Sequence, residues 1–244
     1  MSHHTIAVQD VRYNYPDNTQ ALQGVSFLIT HGESVALIGG NGAGKSTLLS
    51  LLVGIVFSTS GSVNVGGLKM TPQAAADIRR RIGMVFQNPD DQLFMPTVFD
   101  DVAFGPLNLG FSTEQTQEIV NKSLETVGAA HLIRRSSHRL STGEKRAVSI
   151  ASVLSMTPDI LLMDEPTSGL DPWSRRQLTG LLQNFNHTRI IATHDLDFAM
   201  DVCERTIVLQ NGRVVADGPT SRLLRNEELL AGSRLELPLR LQSF

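Results

Sequence analysis

The sequence predicts a mixed α/β protein, in which helices flank a mostly parallel sheet. Two further parts are predicted: an antiparallel sheet and an inserted helical lobe. Three observations predict this fold class. Near-continuous apolar runs, typical of strands covered on both faces, recur along the chain. The front of the chain alternates apolar with polar residues instead, and a long, largely helical segment separates two of the runs. The four runs are SVALIGG (34–40), IGMVFQ (82–87), DILLMDE (159–165) and RIIATH (189–194).

The elements before the helical segment follow from local patterns. TIAVQDVRYNY and GVSFLIT alternate apolar and polar residues, and THGE (30–33) has the composition of a turn, so an antiparallel edge sheet is predicted there. The run LLSLLVGIVF (48–57) has about half the length that a membrane-spanning helix needs. It predicts a helix of the core instead.

Later elements are predicted in the same way. Residues 112–130 and 172–185 have the spacing of amphipathic helices. Asn211 and Gly212 stand between two β-rich runs, which predicts a hairpin. The expected organisation over 1–244 is a single domain in three parts. A core with its antiparallel part is predicted at 5–87 and 158–220, an inserted helical subdomain at 88–157 and a short C-terminal tail at 221–244.

Composition excludes several classes of function. The 244 residues suit one domain with an insert, or two domains. With 21 basic and 24 acidic residues the net charge is −3, so the chain lacks the basic field of a typical nucleic-acid-binding protein. Cys203 is the one cysteine, and the N-terminus does not resemble a signal peptide, so a cytoplasmic location is expected.

The most specific motif is GGNGAGKST, which follows an apolar strand and precedes a helical pattern. Glycines in this context let consecutive backbone N–H groups point at phosphate oxygens, aided by the positive end of the following helix. Lys45 is expected to reach the terminal phosphates, and the Ser46 hydroxyl to ligate Mg²⁺. A glycine-rich turn without a ligand is the alternative. The predicted ATP contacts are Gly39, Gly40, Asn41, Gly42, Ala43, Gly44, Lys45, Ser46 and Thr47.

Two strand ends carry side chains suited to phosphate chemistry. In ILLMDEP (160–166), four apolar residues are followed by Asp164, the candidate metal ligand, and Glu165, the candidate general base. RIIATH ends in His194, which is a candidate sensor of the γ-phosphate. A histidine that only caps its strand is the alternative for His194. Together with the catalytic Lys45, these residues predict ATP hydrolysis with Mg²⁺.

The residues at this point resemble the ATP-binding subunit of an ABC transporter, over about residues 5–220. LSTGEKRAVSIASVL (140–154) is similar to the signature of that family, with Thr142 in place of a glycine and Glu144 in place of glutamine. The resemblance implies a P-loop NTPase fold of the ABC cassette type, and a head-to-tail dimer with each ATP between two subunits. The bulk of Thr142 bears on how tightly such a clamp closes.

The resemblance also implies roles for further residues. Tyr15 matches the aromatic residue that stacks on adenine, with an edge-strand aromatic as the alternative. Gln87 matches the residue that links Mg²⁺ to the inserted lobe, and Asp171 matches the residue that communicates across the dimer. From the signature, Ser141, Thr142, Gly143 and Glu144 are implied as ATP contacts. A homodimer is expected, and a heterodimer with a related cassette stays open.

The segment from Ile82 to Asn121 contains no Lys or Arg and six acidic residues, interspersed with large apolar side chains. Such a segment suits a groove for a basic amphipathic helix, with a solvated acidic loop as the alternative. VFQNPDDQLF and TVFDDVAFGPLNLG are similar to ATPases of energy-coupling factor transporters, including the cobalt and nickel uptake systems. This resemblance implies a transmembrane coupling protein as partner, contacted near Asp90, Asp91 and Gln92.

The expected function is therefore ATP-driven uptake of cobalt or nickel, from the cytoplasmic face of the cell membrane, with a separate membrane protein that binds the substrate. The short C-terminal tail and the complete catalytic set favour a homodimeric metal importer. A vitamin importer of the same group, for example for biotin, and a soluble ABC ATPase without a transport role are the alternatives. No nucleic-acid partner is expected.

Overall fold

The computed structural model describes residues 5–242, and these residues form two compact units. The first unit takes in the described residues 5–82, 159–165 and 186–242. The second unit takes in Gly83–Pro158 and Pro166–Phe185. The segment after Glu165 therefore leaves the first unit and belongs to the second, up to Phe185.

The strands and helices have the following bounds. The strands are β1 (Ile6–Asn14), β2 (Gln20–Ile29), β3 (Ser34–Ile38), β4 (Ser60–Val65), β5 (Leu68–Lys69), β6 (Ile82–Val85), β7 (Ile160–Asp164), β8 (Thr188–Ala192), β9 (Arg205–Gln210) and β10 (Arg213–Pro219). The helices are α1 (Lys45–Leu52), α2 (Ala75–Arg79), α3 (Val98–Asn108), α4 (Thr113–Thr126), α5 (Thr142–Leu154), α6 (Pro172–Gln183), α7 (Leu196–Val202), α8 (Thr220–Leu223) and α9 (Glu227–Gly232).

An antiparallel sheet at the front of the chain confirms the first prediction. Its strand order is β2-β1-β4-β5, and each neighbouring pair is antiparallel. Along β2, Val25, Phe27 and Ile29 are buried while the residues between them are exposed, which is the pattern of a sheet with one face on a core. The alternation seen in the sequence therefore has its usual cause.

A second sheet forms the centre of the first unit, where its strands run in the order β10-β9-β3-β8-β7. Strand β3 pairs in parallel with β8 and β9, and β7 pairs in parallel with β8. Every residue of β3 and β7 is buried, as the near-continuous apolar runs predict for strands covered on both faces. Strands β9 and β10 form the predicted antiparallel hairpin through Asn211 and Gly212.

The second unit has a helical core of its own. Helices α3, α4 and α5 pack around a cluster of fully or nearly buried apolar residues. The members include Leu93, Val98, Val102, Val120, Leu124, Leu132, Leu140 and Val148. The N-termini of α3 to α6 are capped by side chains, from Thr97, Ser112, Ser141 and Asp171. Each cap accepts from a backbone N–H that the first helical turn leaves without a partner.

Some predicted elements are longer than the observed ones. The run at 48–57 is helical only to Leu52, and the chain then turns at Gly54, where φ is +68°. Ile55 is half-exposed as a result. The predicted helix at 112–130 ends at Thr126, and the one at 172–185 ends at Gln183. Within residues 5–242, none of the helices is long and apolar enough to cross a membrane.

Cys203 gives a test of the packing of the first unit. Its side chain is only 5% exposed, and burial raises the pKa of the thiol to about 12. Because the thiolate is the reactive form, we expect iodoacetamide at pH 8 to leave the folded protein unmodified. The same reagent should modify Cys203 completely in 6 M guanidinium chloride, as measured by intact-protein mass spectrometry. Rapid stoichiometric labelling of the folded protein would contradict this description.

Candidate functional site

The phosphate-loop residues connect β3 to α1 in the first unit. Gly44 caps α1 with a left-handed φ of +104°, and a Cβ atom there would lie 2.7 Å from the carbonyl oxygen of Ala21. The loop closes on itself where the Ala43 N–H donates to Gly40 O, and it is held from outside where the Gly212 N–H donates to Ala43 O. Ala43 is buried, whereas Asn41 and Gly42 are exposed. A side chain at position 44 would therefore clash with β2, which packs against the loop.

Lys45 opens α1 and is almost fully buried. Its Nζ atom donates to Gly39 O at 2.7 Å and lies 3.9 Å from Glu165 Oε1. A buried ammonium group needs such partners, because its hydration is lost. Lys45 therefore lies between the loop and the end of β7.

Tyr15 and the first turn of α1 are joined by a side-chain hydrogen bond. Tyr15 Oη and Thr47 Oγ1 are 2.9 Å apart, and the half-exposed Tyr15 ring meets Tyr13 edge to face. Ser46, next to Thr47, presents its side chain to solvent. The structure therefore brings Tyr15 to the start of the same helix as the loop.

Asp164 is the last residue of β7 and Glu165 is the next residue, and both are at least 94% buried. Glu165 has a left-handed φ of +45°, which is uncommon outside glycine and costs about 1 kcal/mol. Its backbone N–H donates to Ala192 O at 2.8 Å, so the neighbouring strand holds the residue in this conformation. A strained backbone held from outside fixes the direction of the Glu165 carboxylate.

His194 lies two residues beyond β8, whose last residue is Ala192, rather than at the strand end as predicted. Its Nδ1 atom is 2.8 Å from Glu165 Oε2, and its backbone N–H donates to the same oxygen at 3.2 Å. The imidazole is 65% exposed although its partner carboxylate is buried. With Nδ1 engaged by Glu165, the Nε2 side of the ring is directed away from this carboxylate.

The oxygen atoms of this region fit a magnesium ion held mainly by a substrate. Within the described part of the chain, no group of three or more His, Cys, Asp or Glu side chains is arranged to hold a metal ion. Mg²⁺ commonly takes one or two protein oxygens, with phosphate and water as its other ligands. The Asp164 carboxylate and the Ser46 hydroxyl are ligands of this hard-oxygen type.

The signature residues begin α5 in the second unit. Ser141 Oγ accepts from the Glu144 N–H, and Glu144 Oε2 accepts from the Ser141 N–H at 2.7 Å, which is a capping box. The hydrogen bond from the Ser141 N–H holds the pKa of Glu144 below its usual value. Ser141 and Thr142 are exposed, so the positive end of α5 faces solvent with a hydroxyl group beside it.

Thr142 lies beside the loop that carries Asp171. A Cβ atom on Gly169 would lie 3.2 Å from the Thr142 methyl group. Asp171 caps α6 by accepting from the Trp173 and Ser174 N–H groups, and hydrogen bonds from Ser174 hold its pKa below the usual value. The bulk of Thr142 is thus matched by a glycine in the loop that carries Asp171.

Gln87 follows β6, which ends at Val85, and is exposed. Its backbone oxygen accepts from Arg146 Nη2, and the Phe86 oxygen accepts from Arg146 Nη1. Arg146 lies in α5 and is only 2% exposed. Sequence reasoning missed Arg146, and the signal that could have found it is a charged residue among the apolar residues of the segment that forms α5.

Asp90, Asp91 and Gln92 differ in their environments. Asp90 pairs with Lys145 of α5 at 2.5 Å. Gln92 donates to Ser149 O at 2.7 Å and accepts from the Phe86 N–H, so it joins the end of β6 to α5. Asp91 is exposed, and its carboxylate accepts from Asn88 Nδ2 at 3.4 Å. Two of the predicted docking residues therefore also hold the unit together.

Comparison with known proteins bears on the whole chain. The family model described as "ABC transporter" matches residues 22–168. A relative from Geobacter sulfurreducens, named as an ABC transporter ATP-binding protein, is 59% identical over 99% of this chain and 97% of its own length. A relative from Methanospirillum hungatei, named "Energy-coupling factor transporter ATP-binding protein EcfA1", is 40% identical over 97% of this chain and 87% of its own length.

Solved structures agree with these relatives. One is cbiO1 from Clostridium perfringens, described as part of the ABC transporter complex cbiONQ, with a TM-score of 0.82, 36% identity and 94% of both chains covered. Another is MJ0796, a bacterial ABC transporter cassette solved as a dimer, with a TM-score of 0.81 and 28% identity over 88% of this chain and 98% of its own. The sheets, the helical insert and the phosphate loop are those of an ATP-hydrolysing cassette, and the chain belongs to the ABC transporter ATP-binding family.

Proposed function

We propose that the chain is the ATPase subunit of an importer of the energy-coupling factor type, and that the importer takes up cobalt or nickel. Support comes from the relative named as an energy-coupling factor ATPase and from the likeness to cbiO1 of the cbiONQ complex. A vitamin importer of the same group is the second candidate, because a cassette that does not contact the cargo carries no specificity for it. A soluble ABC ATPase is the third, and its distinguishing property is independence of membranes.

For hydrolysis we assign three residues. Lys45 neutralises the terminal phosphates, because its ammonium group is buried beside the phosphate loop. Glu165 is the general base that takes a proton from the attacking water. His194 holds the Glu165 carboxylate through Nδ1 and offers its other nitrogen to the γ-phosphate.

For nucleotide binding we assign Tyr15 to the adenine ring and the residues from Gly39 to Thr47 to the phosphates. Mg²⁺ would be held by Ser46, Asp164 and Gln87, and when bound it neutralises charge on the phosphate oxygens. In a head-to-tail homodimer, Ser141, Thr142, Gly143 and Glu144 would offer the positive end of α5 to the ATP of the partner subunit, and Asp171 would face the subunit boundary.

The observation that carries the transport proposal is an exposed apolar patch on the second unit. Large apolar side chains that are 40–59% exposed lie on α3 and immediately beside it. We call Phe94, Phe104, Leu107, Leu109 and Phe111 the apolar patch. Phe94 and Phe104 pack edge to face, with ring centroids 5.1 Å apart, so these two members of the patch are in contact. Exposed patches of this kind mark partner surfaces.

The charges around the apolar patch indicate the chemistry of its partner. Of the six acids between residues 82 and 121, Asp101 is buried and accepts from two backbone N–H groups and from Ser137. Asp90 is paired with Lys145. Asp100 is half-buried and accepts from the Thr97 hydroxyl group. Asp91, Glu114 and Glu118 are exposed, and no Lys or Arg occurs in the segment. An amphipathic helix with apolar and basic residues, supplied by a membrane-embedded subunit, complements this surface.

Replacing Glu165 by Gln tests the assignment of the general base. We expect the rate of ATP hydrolysis to fall by about 100-fold or more, since general-base catalysis contributes at least this factor. ATP binding should be retained, because the variant keeps the shape of the side chain. Turnover and nucleotide affinity of the purified protein are the measurements, with the exposed Glu204→Gln as the matched control. Undiminished turnover in Glu165→Gln would remove this residue from the role.

Variants of the apolar patch test the membrane partner. Phe94→Asp should abolish co-sedimentation of the purified chain with native membranes of its own organism, because a charge would be placed in the contact. Ile55→Asp is the matched control, since Ile55 is 51% exposed, against 59% for Phe94, and lies in the first unit. ATP hydrolysis of both variants in solution should stay within about twofold of the wild-type rate. Full retention of Phe94→Asp on the membranes would contradict the proposed docking surface.

The cargo requires a separate measurement on cells. Disruption of the chain's gene should lower accumulation of labelled Co²⁺ or Ni²⁺ while leaving labelled biotin uptake unchanged. A Lys45→Ala copy should fail to restore metal uptake, because the importer needs hydrolysis, whereas a wild-type copy should restore it. The opposite pattern, with biotin uptake lost and metal uptake intact, would favour the vitamin importer.

A further inference from the structure

The residues that follow α9 lie against the nucleotide site of the same unit. We call residues 233–240 the strap. One end of the strap contacts the phosphate loop, and the other end contacts α7, the helix that begins two residues after His194. Both contacts are within the first unit.

The first contact is made at Gly40 of the phosphate loop. The Gly40 N–H donates to Ser233 O at 3.1 Å, and Ser233 is only 3% exposed. A Cβ atom on Gly40 would lie 3.1 Å from the Arg234 Cβ and 3.2 Å from Ser233 O. Gln210, at the end of β9, donates to the Gly232 oxygen just before the strap. The strap therefore lies directly on the loop, at a position where a larger residue would press on Ser233 and Arg234.

The backbone of the strap is itself held in an uncommon conformation. Arg234 has a left-handed φ of +59°, which L-residues other than asparagine and aspartate seldom adopt. It is sustained by turn hydrogen bonds, from the Arg234 N–H to Ala231 O and from the Leu235 N–H to Leu230 O. Leu230 is 1% exposed and anchors the turn in the core. Strain of this kind persists where the surroundings determine the conformation.

The second contact is a set of charged hydrogen bonds to α7. Arg240 Nε donates to Asp197 Oδ1 at 2.7 Å, and Arg240 Nη1 donates to Asp201 Oδ1 at 2.8 Å. Arg240 Nη2 also donates to the backbone oxygen of Asp197, and the Leu239 N–H donates to the Asp197 carboxylate. A guanidinium group that binds two carboxylates one turn apart fixes both the position and the rotation of a helix.

These contacts close a ring around the site. Lys45, beside the phosphate loop, forms an ion pair with Glu165, and Glu165 contacts His194 through two hydrogen bonds. Asp195 then caps α7, which has only seven residues and so depends on tertiary contacts for its place. From α7, Arg240 leads back along the strap to Gly40.

We propose that the strap holds the phosphate loop and the His194 segment in one fixed arrangement, and that Arg240 is a positioning residue for ATP hydrolysis. Arg240 acts through α7 on His194 and does not contact the nucleotide. The inference rests on the role proposed above for His194. Loss of Arg240 leaves Tyr15, Lys45 and the loop in place, so the turnover number should change and the affinity for ATP should not.

The test is a double-mutant cycle on the purified full chain, with single-turnover hydrolysis as the rate measurement. Arg240→Gln should lower the rate by about tenfold or more, as expected when a group at the reacting centre is misplaced, and leave KM for ATP within about twofold. Arg240→Lys should restore part of the rate. Arg240→Gln combined with His194→Ala should be no slower than His194→Ala alone, since both changes remove the same function.

Arg225→Gln is the matched control, because Arg225 is an exposed arginine between α8 and α9, and it should hydrolyse ATP at the wild-type rate. If Arg240→Gln does not fold, Asp201→Asn removes only one partner of Arg240 and should lower the rate by a smaller factor. A wild-type rate in Arg240→Gln, or a double variant slowed by the product of both factors, would overturn the strap proposal. A wild-type rate in His194→Ala would instead overturn the role of His194.

Discussion

The structure depends on the close packing of a cation and an anion that are both removed from water. Lys45 and Glu165 are each more than 90% buried, and their charged atoms lie 3.9 Å apart. Burying either charge alone would cost several kcal/mol, so each residue requires the other and the polar groups around it. This requirement explains why the glycine loop, the end of β7 and the segment after β8 meet at one place. The parallel sheet supplies that meeting point, because β3, β7 and β8 all end there.

The second unit depends on an analogous constraint. Arg146 is 2% exposed, and its guanidinium group donates to the backbone oxygens of Phe86 and Gln87. Two further interactions are made with the same helix, α5. Asp90 forms an ion pair with Lys145, and Gln92 donates to the Ser149 oxygen. The residues around Gln87 are therefore bound to the helix that carries the signature. A partner bound at the apolar patch would act on a unit whose two functional segments are already joined.

Much of the fold was predictable from the sequence because its signals are local. Apolar runs predicted the core strands, Asn211 and Gly212 predicted the hairpin, and the glycines after β3 predicted the phosphate loop. The lengths of α1 and α4 were not predictable in this way, because helix ends depend on glycines and on packing, which apolar periodicity does not reflect. Contacts between distant positions were also missed, such as Gly40 with Ser233 and Phe86 with Arg146. The local sequence around one residue of such a pair does not identify its distant partner.

The contact at Gly40 has a consequence for how sequences of this kind can vary. Position 40 and the path of the chain after α9 are sterically coupled, since a methyl group on one would meet the backbone of the other. A related chain with a bulky residue in this position is expected to shift its C-terminal segment, and with it the support of the helix after its histidine. The choice of one small residue in a nucleotide-binding loop thus constrains the architecture of a region almost two hundred positions away.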